Sequence, residues 1–201
     1  MEVEDRFRES YESGDTPWDV GRPDFNLIEV VTQRPVHACK VLEVGCGTGD
    51  NAIWLAQNRF KVVGVDASDI AIDMAMAKAA EANVKCDFFH ADFLRSEIQG
   101  APFGFIFDRG CFHSFDSGDD RISFAEKAAG LLEAEGLWLT IVGNADGHRQ
   151  RPGPPQRSAE DIVSAVEPFF EILLLQSSRF ESNRPEPSKA WRCLMQKRRI
   201  S

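Results

Sequence analysis

The run Val41-Leu-Glu-Val-Gly-Cys-Gly-Thr-Gly49 decides the fold. Residues suited to a buried strand lead into glycines at 45, 47 and 49, and Asp50 to Asn58 continues with Ile53, Trp54 and Ala56 on one helical face. Strand, glycine turn and helix in that order let a backbone approach a ligand closely and bend sharply, because glycine carries no Cβ. A dinucleotide fingerprint would set its third glycine at position 50. That residue is Asp50, a negative charge at the helix start where a pyrophosphate would sit. The turn therefore disfavours a nicotinamide or flavin dinucleotide and suits a ligand with no phosphate and a cationic end.

Outward from this turn the same alternation repeats. Phe60 to Asp66 reads as a second strand, and Ser68 caps an alanine-rich helix over Ile70 to Ala82. Val84 to His90, Phe103 to Asp108 and Gly136 to Gly143 follow as strands, with a helix over Arg121 to Glu135. Ser158-Ala-Glu-Asp161 is a capped helix start leading to Pro168. Phe169 to Gln176 and Ala190 to Gln196 are joined by a link holding Pro185 and Pro187, too poor in helix formers for a crossover, so they form an antiparallel hairpin. The expectation is one α/β Rossmann-like domain over 1–201, with a mostly parallel seven-stranded sheet, an antiparallel C-terminal hairpin and helices on both faces. The proline-rich segment 144–157 is expected to be a loop near the active site.

Composition narrows the function. A formal charge of -9 repels a polyanion, so nucleic acid is an unsuitable partner. Apolar runs such as Leu137 to Val142 are far too short to span a bilayer, and Met1 to Gly14 has no apolar core for a secretory signal, so the expected location is the cytoplasm. Cys39, Cys46, Cys86, Cys111 and Cys193 form an odd set without a CxxC pair, which argues for reduced thiols and against a metal site. Lys197-Arg-Arg199 reads as a solvated charge cluster.

The Glu43-x-Gly45-x-Gly47-x-Gly49 run resembles the first motif of the class I S-adenosylmethionine-dependent methyltransferases. Two further segments, Gly14-Asp-Thr-Pro-Trp-Asp-Val-Gly21 and Asp108-Arg109-Gly110, resemble the branch holding thiopurine methyltransferase, plant thiol and halide methyltransferases and bacterial tellurite-resistance methyltransferases. The resemblance runs over nearly the whole chain. It implies S-adenosylmethionine as cofactor, with Glu43, Gly45, Gly47 and Gly49 beside its methionine part. Asp66, with Ala67 next to it, stands 17 positions beyond Gly49 at a strand end, where a carboxylate can accept both ribose hydroxyl protons. Asp92 and Phe93 would meet the adenine, the acid at its amine and the ring on its face; the competing reading is a loop Asp and a core Phe. Asp108 would lie by the methyl group. An arm over 1–21 would close over the cofactor with Tyr11 and Trp18, although Trp18 also suits a core anchor. Arg109, the one catalytic candidate, would hold the acceptor; the competing reading is an ion pair with Asp108 or Asp116.

Direct displacement at a sulfonium methyl requires alignment and exclusion of water more than proton transfer. A thiolate, halide or chalcogen anion needs no strong base, whereas an amine or hydroxyl would call on His113, Asp108 or Asp19. The reading is therefore a methyltransferase acting on a small, soft nucleophile, as monomer or homodimer. A small-molecule N- or O-methyltransferase and a non-catalytic cofactor-binding module are the alternatives. Cys111 reads as a buried small residue.

Overall fold

The computed structural model describes residues 3–33, 36–146 and 154–199. The apolar, β-rich runs form β1 (Lys40–Val44), β2 (Lys61–Asp66), β3 (Cys86–His90), β4 (Phe103–Arg109), β5 (Leu132–Gly143), β6 (Phe170–Arg179) and β7 (Lys189–Lys197). Around them lie α1 (Val3–Ser13), α2 (Phe25–Gln33), α3 (Asp50–Gln57), α4 (Asp69–Glu81), α5 (Gly118–Leu131) and α6 (Ala159–Val166), with a 3-10 turn at Phe112–Ser114. One sheet runs in the order β3-β2-β1-β4-β5-β7-β6. β7 runs antiparallel to β5 and β6 while the other pairs are parallel, which gives the expected mostly parallel sheet with a C-terminal hairpin.

Local signals explain most boundaries. The Ser68 hydroxyl accepts from Ala71 N–H at the start of α4, and Ser158 with Asp161 forms the anticipated reciprocal cap at the start of α6. The helix anticipated to reach Glu135 ends at Leu131 instead, because Leu132 already pairs with Phe103. The ladder then jumps to Phe105 opposite Leu137, and the extra residues form a bulge with Glu135 at φ 62. The segment from β3 to β4 crosses the sheet with no helix. Phe93 and Ile98 cover the sheet there, buried with Phe124 and Ile106.

Two apolar layers enclose the sheet. On one face, α5, α6 and the 3-10 turn pack around Trp138, whose ring stacks on Phe124 at 5.5 Å and meets the edge of Phe112 at 5.5 Å. On the other, Leu27 and Val30 of α2 and Ala52 and Leu55 of α3 cover Val41, Val62, Phe105 and Phe107. No helix among the described residues is long and apolar enough to cross a membrane. All five cysteines are unpaired.

Of the proline-rich segment, residues 147–153 lie outside the described residues. Its far end is fixed to β5: Arg157 N–H donates to Gly143 O at 2.8 Å, and Ala145 N–H donates to Arg157 O at 3.1 Å. The Arg157 guanidinium also donates to the carbonyls of His113 (2.8 Å) and Phe115 (2.9 Å), tying the 3-10 turn to this segment. A Cβ at Gly143 would stand 2.0 Å from Pro155 O, so only glycine allows this contact. Gly143→Ala should cost about 1–3 kcal/mol through overpacking. Denaturant unfolding would measure it; an unchanged midpoint would mean that Pro155 moves aside freely.

Candidate active site

The strand order reverses between β1 and β4, and an open parallel sheet leaves a crevice at the carboxyl ends of such strands. A cleft of about 580 Å³ occupies this place. Its walls come from the glycine turn, the ends of β2 and β4, the N-terminal segment, Pro154 and Pro155, and the link between β6 and β7. That volume is in the range of small-ligand sites.

The glycine turn passes along one wall. Gly45, Gly47 and Gly49 all have positive φ, which a side chain would strain. A Cβ at Gly47 would also stand 3.1 Å from the Tyr11 hydroxyl. Asp66 locks the turn from the next strand: one carboxylate oxygen accepts Gly47 N–H at 2.8 Å and the other accepts Ser68 N–H at 2.9 Å. Burial raises the Asp66 pKa, and these two backbone donors oppose the rise. Asp66 itself lines the cleft. Ala67 and Asp92 also line it, and Asp92 accepts Leu94 N–H at 2.8 Å.

The N-terminal segment forms the facing wall. Trp18 donates from its indole to the Tyr11 hydroxyl at 3.1 Å, with the rings edge to face at 6.0 Å. Asp19 accepts from the Thr48 hydroxyl at 3.0 Å, and Lys78 of α4 reaches the same hydroxyl at 2.6 Å and Asp50 at 3.1 Å. The segment is thus bonded to the turn itself. Thr48 and Lys78 escaped the sequence reading, since a lysine in an alanine-rich helix carries no signal of a partner 30 residues away.

Three anticipated residues stand elsewhere. Glu43 lies behind the turn, 1% exposed and outside the cleft wall, because strand alternation points it toward α3. One of its oxygens accepts from Asn51 at 2.9 Å, and the other is buried without a hydrogen-bond partner. Phe93 is a core residue, its ring 4.4 Å from Phe124, which leaves it off the cleft wall. Asp108 is fully buried and outside the wall too; it accepts from the Trp138 indole at 2.9 Å and from Phe112 N–H at 3.0 Å. Burial pushes its pKa up to about 6 against those donors.

Arg109 does line the cleft, but its partner is Asp24 rather than Asp108 or Asp116. Its Nε donates to Asp24 at 2.7 Å, and its terminal nitrogens donate to Trp18 O at 3.0 Å and Glu181 O at 2.6 Å. The guanidinium lies over Phe180 at 5.4 Å. Arg109 therefore clamps the N-terminal segment to the link between β6 and β7, and its reach toward an acceptor is limited to the two N–H groups left over. Asp24 was missed, although Asp before Phe25-Asn-Leu-Ile is a helix-start signal: its side chain accepts Asn26 N–H at 2.8 Å.

Burial raises the Glu43 pKa to about 8, so the folded protein holds this carboxyl protonated at neutral pH. A raised carboxyl pKa means that the folded state binds the extra proton, so stability falls as pH climbs from the ordinary carboxyl range through about 8. Glu43→Gln, which is neutral at every pH, should match the wild type in thermal unfolding near pH 5 and exceed it by pH 9. A constant difference across that range would show that Glu43 does not titrate there.

Residues 41–136 match the family model described as a methyltransferase domain. The 2-heptyl-1-hydroxyquinolin-4(1H)-one methyltransferase of Mycobacteroides abscessus is 32% identical over 56% of this chain and 52% of its own. A probable thiol methyltransferase of Arabidopsis thaliana is 31% identical over 74% and 65%. The chain thus spans about half to two thirds of the length of these relatives. A solved structure, titled for the conversion of a disulfide bond into a thioacetal group during echinomycin biosynthesis, shares the fold with a TM-score of 0.82 at 21% identity, covering 98% of this chain and 93% of that one. The glycine turn, the sheet order and these likenesses agree with one another: the chain carries a methyltransferase domain over residues 41–136, has the fold of S-adenosylmethionine-dependent methyltransferases, and is similar to thiol methyltransferases among its relatives.

Proposed function

We propose that this protein methylates a small, soft nucleophile, a thiol, halide or chalcogen anion, with S-adenosylmethionine as donor. The observation that carries the reading is that one cleft joins the glycine turn and Asp66 at one end to His113, Phe115 and Phe180 at the other. The residues fit the cofactor. The turn offers bare backbone, Asp66 offers two lone pairs for ribose hydroxyls, Ala67 and Asp92 border the adenosine side, and Asp19 and Asp50 favour a cationic amino acid end. When bound, the cofactor supplies an electrophilic methyl group on a sulfonium. Tyr11 and Trp18 wall off water and offer aromatic faces to that cation. Glu43 and Asp108 act from behind, holding the turn and the end of β4.

Two of the base candidates are committed or remote. Asp19 is bonded to Thr48 and faces Lys78, and Asp108 lies outside the cleft wall. Burial, the largest effect, keeps the Tyr11 hydroxyl protonated by raising its pKa. These facts support an acceptor that arrives as its own nucleophile. Methylation of a hydroxyl is the second reading, and the likeness to the hydroxyquinolone methyltransferase favours it. In our reading the protein works in the cytoplasm as monomer or homodimer, the net charge of -9 sets it against nucleic acid, and the 1–21 arm closes over the bound cofactor.

Asp66→Ala should weaken S-adenosylmethionine binding by about 1.5–3 kcal/mol in calorimetry, since a charged acceptor is lost. Unchanged affinity in a folded variant would leave Asp66 a purely structural role. The acceptor is tested with a thiol series. Rates should rise with pH and level near each thiol's own pKa, because the thiolate is the nucleophile. A pH midpoint that stays fixed while the thiol changes would instead reveal an enzyme base and favour the hydroxyl reading.

A further inference from the structure

Three parts of the cleft wall meet at one ammonium. Lys78, near the end of α4, donates to the Thr48 hydroxyl at 2.6 Å and to Asp50 at 3.1 Å, and it lies 3.7 Å from an Asp19 carboxylate oxygen. Thr48 belongs to the glycine turn and Asp50 opens α3. Asp19 sits in the N-terminal segment, where its N–H donates to Thr16 O at 2.9 Å. These contacts run in one direction. An ammonium can only donate, so the Thr48 oxygen accepts from Lys78 and gives its own proton to Asp19 at 3.0 Å. Thr48 is 4% exposed and the three charged side chains are partly buried, so solvent screens this group less than it would a surface pair.

Like charges make that ammonium necessary. Asp19 and Asp50 both line the cleft beside Thr48. Burial, the largest influence, raises the Asp50 pKa; Lys78 opposes the rise and Asp19 adds to it, as a second carboxylate close by must. Bringing the N-terminal segment down on the turn therefore carries one carboxylate toward another, and a cation between them makes the approach attractive. A second tie of this segment to α4, between Arg8 and Asp69 at 3.9 Å, is exposed on both sides and contributes little. Resting on the reading that the 1–21 arm closes over the bound cofactor, we infer that Lys78 is the positioning residue that latches the arm, acting through Thr48 and Asp19. Lys78 itself lies off the cleft wall and makes no part of the cofactor pocket. The residence time of the cofactor is thus set by a charge placed outside the cleft.

The test follows the arm in protein loaded with S-adenosylhomocysteine, the cofactor after methyl loss. Release has to pass through the opened arm, so amide exchange over residues 15–20 and the release rate in stopped flow should change together. Lys78→Met removes the charge and keeps the apolar stem. It should raise both rates about three- to tenfold, the worth of a charge-assisted hydrogen bond reduced for partial exposure. Lys78→Arg should restore most of the loss. Asp19→Asn separates the latch from a general weakening of α4: with Lys78 present it should loosen the arm, and in the Lys78→Met background it should tighten it, because the repulsion from Asp50 is gone. Equal loosening by Asp19→Asn in both backgrounds overturns the inference, as do wild-type exchange and release in folded Lys78→Met. Thr48→Val breaks the bridge without touching α4 and serves where Lys78→Met does not fold; it should loosen the arm, and an unmoved arm overturns the inference. A wild type that does not bind S-adenosylhomocysteine, or whose arm exchanges alike with and without it, overturns closure over the cofactor. Comparison of Lys78→Met with the wild type in the ligand-free protein then still decides the latch.

Discussion

The buried pair of Arg109 and Asp24 is the interaction on which the site depends. The Asp24 side chain is wholly inaccessible and that of Arg109 is 12% exposed. Burying two charges is costly unless each finds several partners, and here they do. Asp24 caps α2 and accepts from Asn26, while Arg109 reaches two carbonyls that belong to separate stretches of chain. One cation thereby holds the N-terminal segment, the first helix packed on the sheet and the link between the last two strands around the end of β4. Arg22 adds a second link between the N-terminal segment and that last stretch, donating to Glu181 at 2.7 Å and to Ser182 O at 2.9 Å.

The same polar line continues behind the glycine turn. Asn51 donates to Glu43 and accepts Asp24 N–H at 2.8 Å, so the cofactor motif and the acceptor-side clamp share one chain of hydrogen bonds. Burial raises the Glu43 pKa to about 8, which favours the neutral carboxyl beside Asp50 and Asp66. The acidic cluster at the turn is balanced by Lys78 of α4, which pairs with Asp19 and Asp50. The turn is therefore shaped by groups on both sides of it.

Much of this was legible from the chain. Alternating strand and helix patterns, the Ser68 and Ser158 caps and the helix-poor link before Ala190 carry their structural meaning within a few residues, and the sheet follows from them. The glycine turn and Asp66 are legible for the same reason, since both sit at strand ends where the local pattern fixes the backbone. The contacts of Arg109 and the state of Glu43 were not legible because their causes are not local: Asp24 is 85 residues from Arg109, and burial is the largest influence on the Glu43 carboxyl. Phe93 looked like an adenine contact because its position matched a motif. It entered the core because the crossover it belongs to has no helix to cover the sheet. His113 bonds to the Gly143 N–H at a strand end 30 residues later, a contact that no local pattern encodes.

The strand order also dictates a sequence of events during synthesis. β6 lies at the sheet edge, and its only strand neighbour is β7, which follows it in the chain and inserts between it and β5. A growing chain that has emerged as far as Arg179 therefore exposes a ten-residue strand with nothing to pair with, next to an open edge of β5. Unpaired strand edges invite association with other chains. The outer wall of the cleft, with Phe180 and Glu181, takes its place only as β7 docks. Among the described elements, the residues of the glycine turn thus emerge early, and the cleft wall that holds Phe180 is completed only with the last strand.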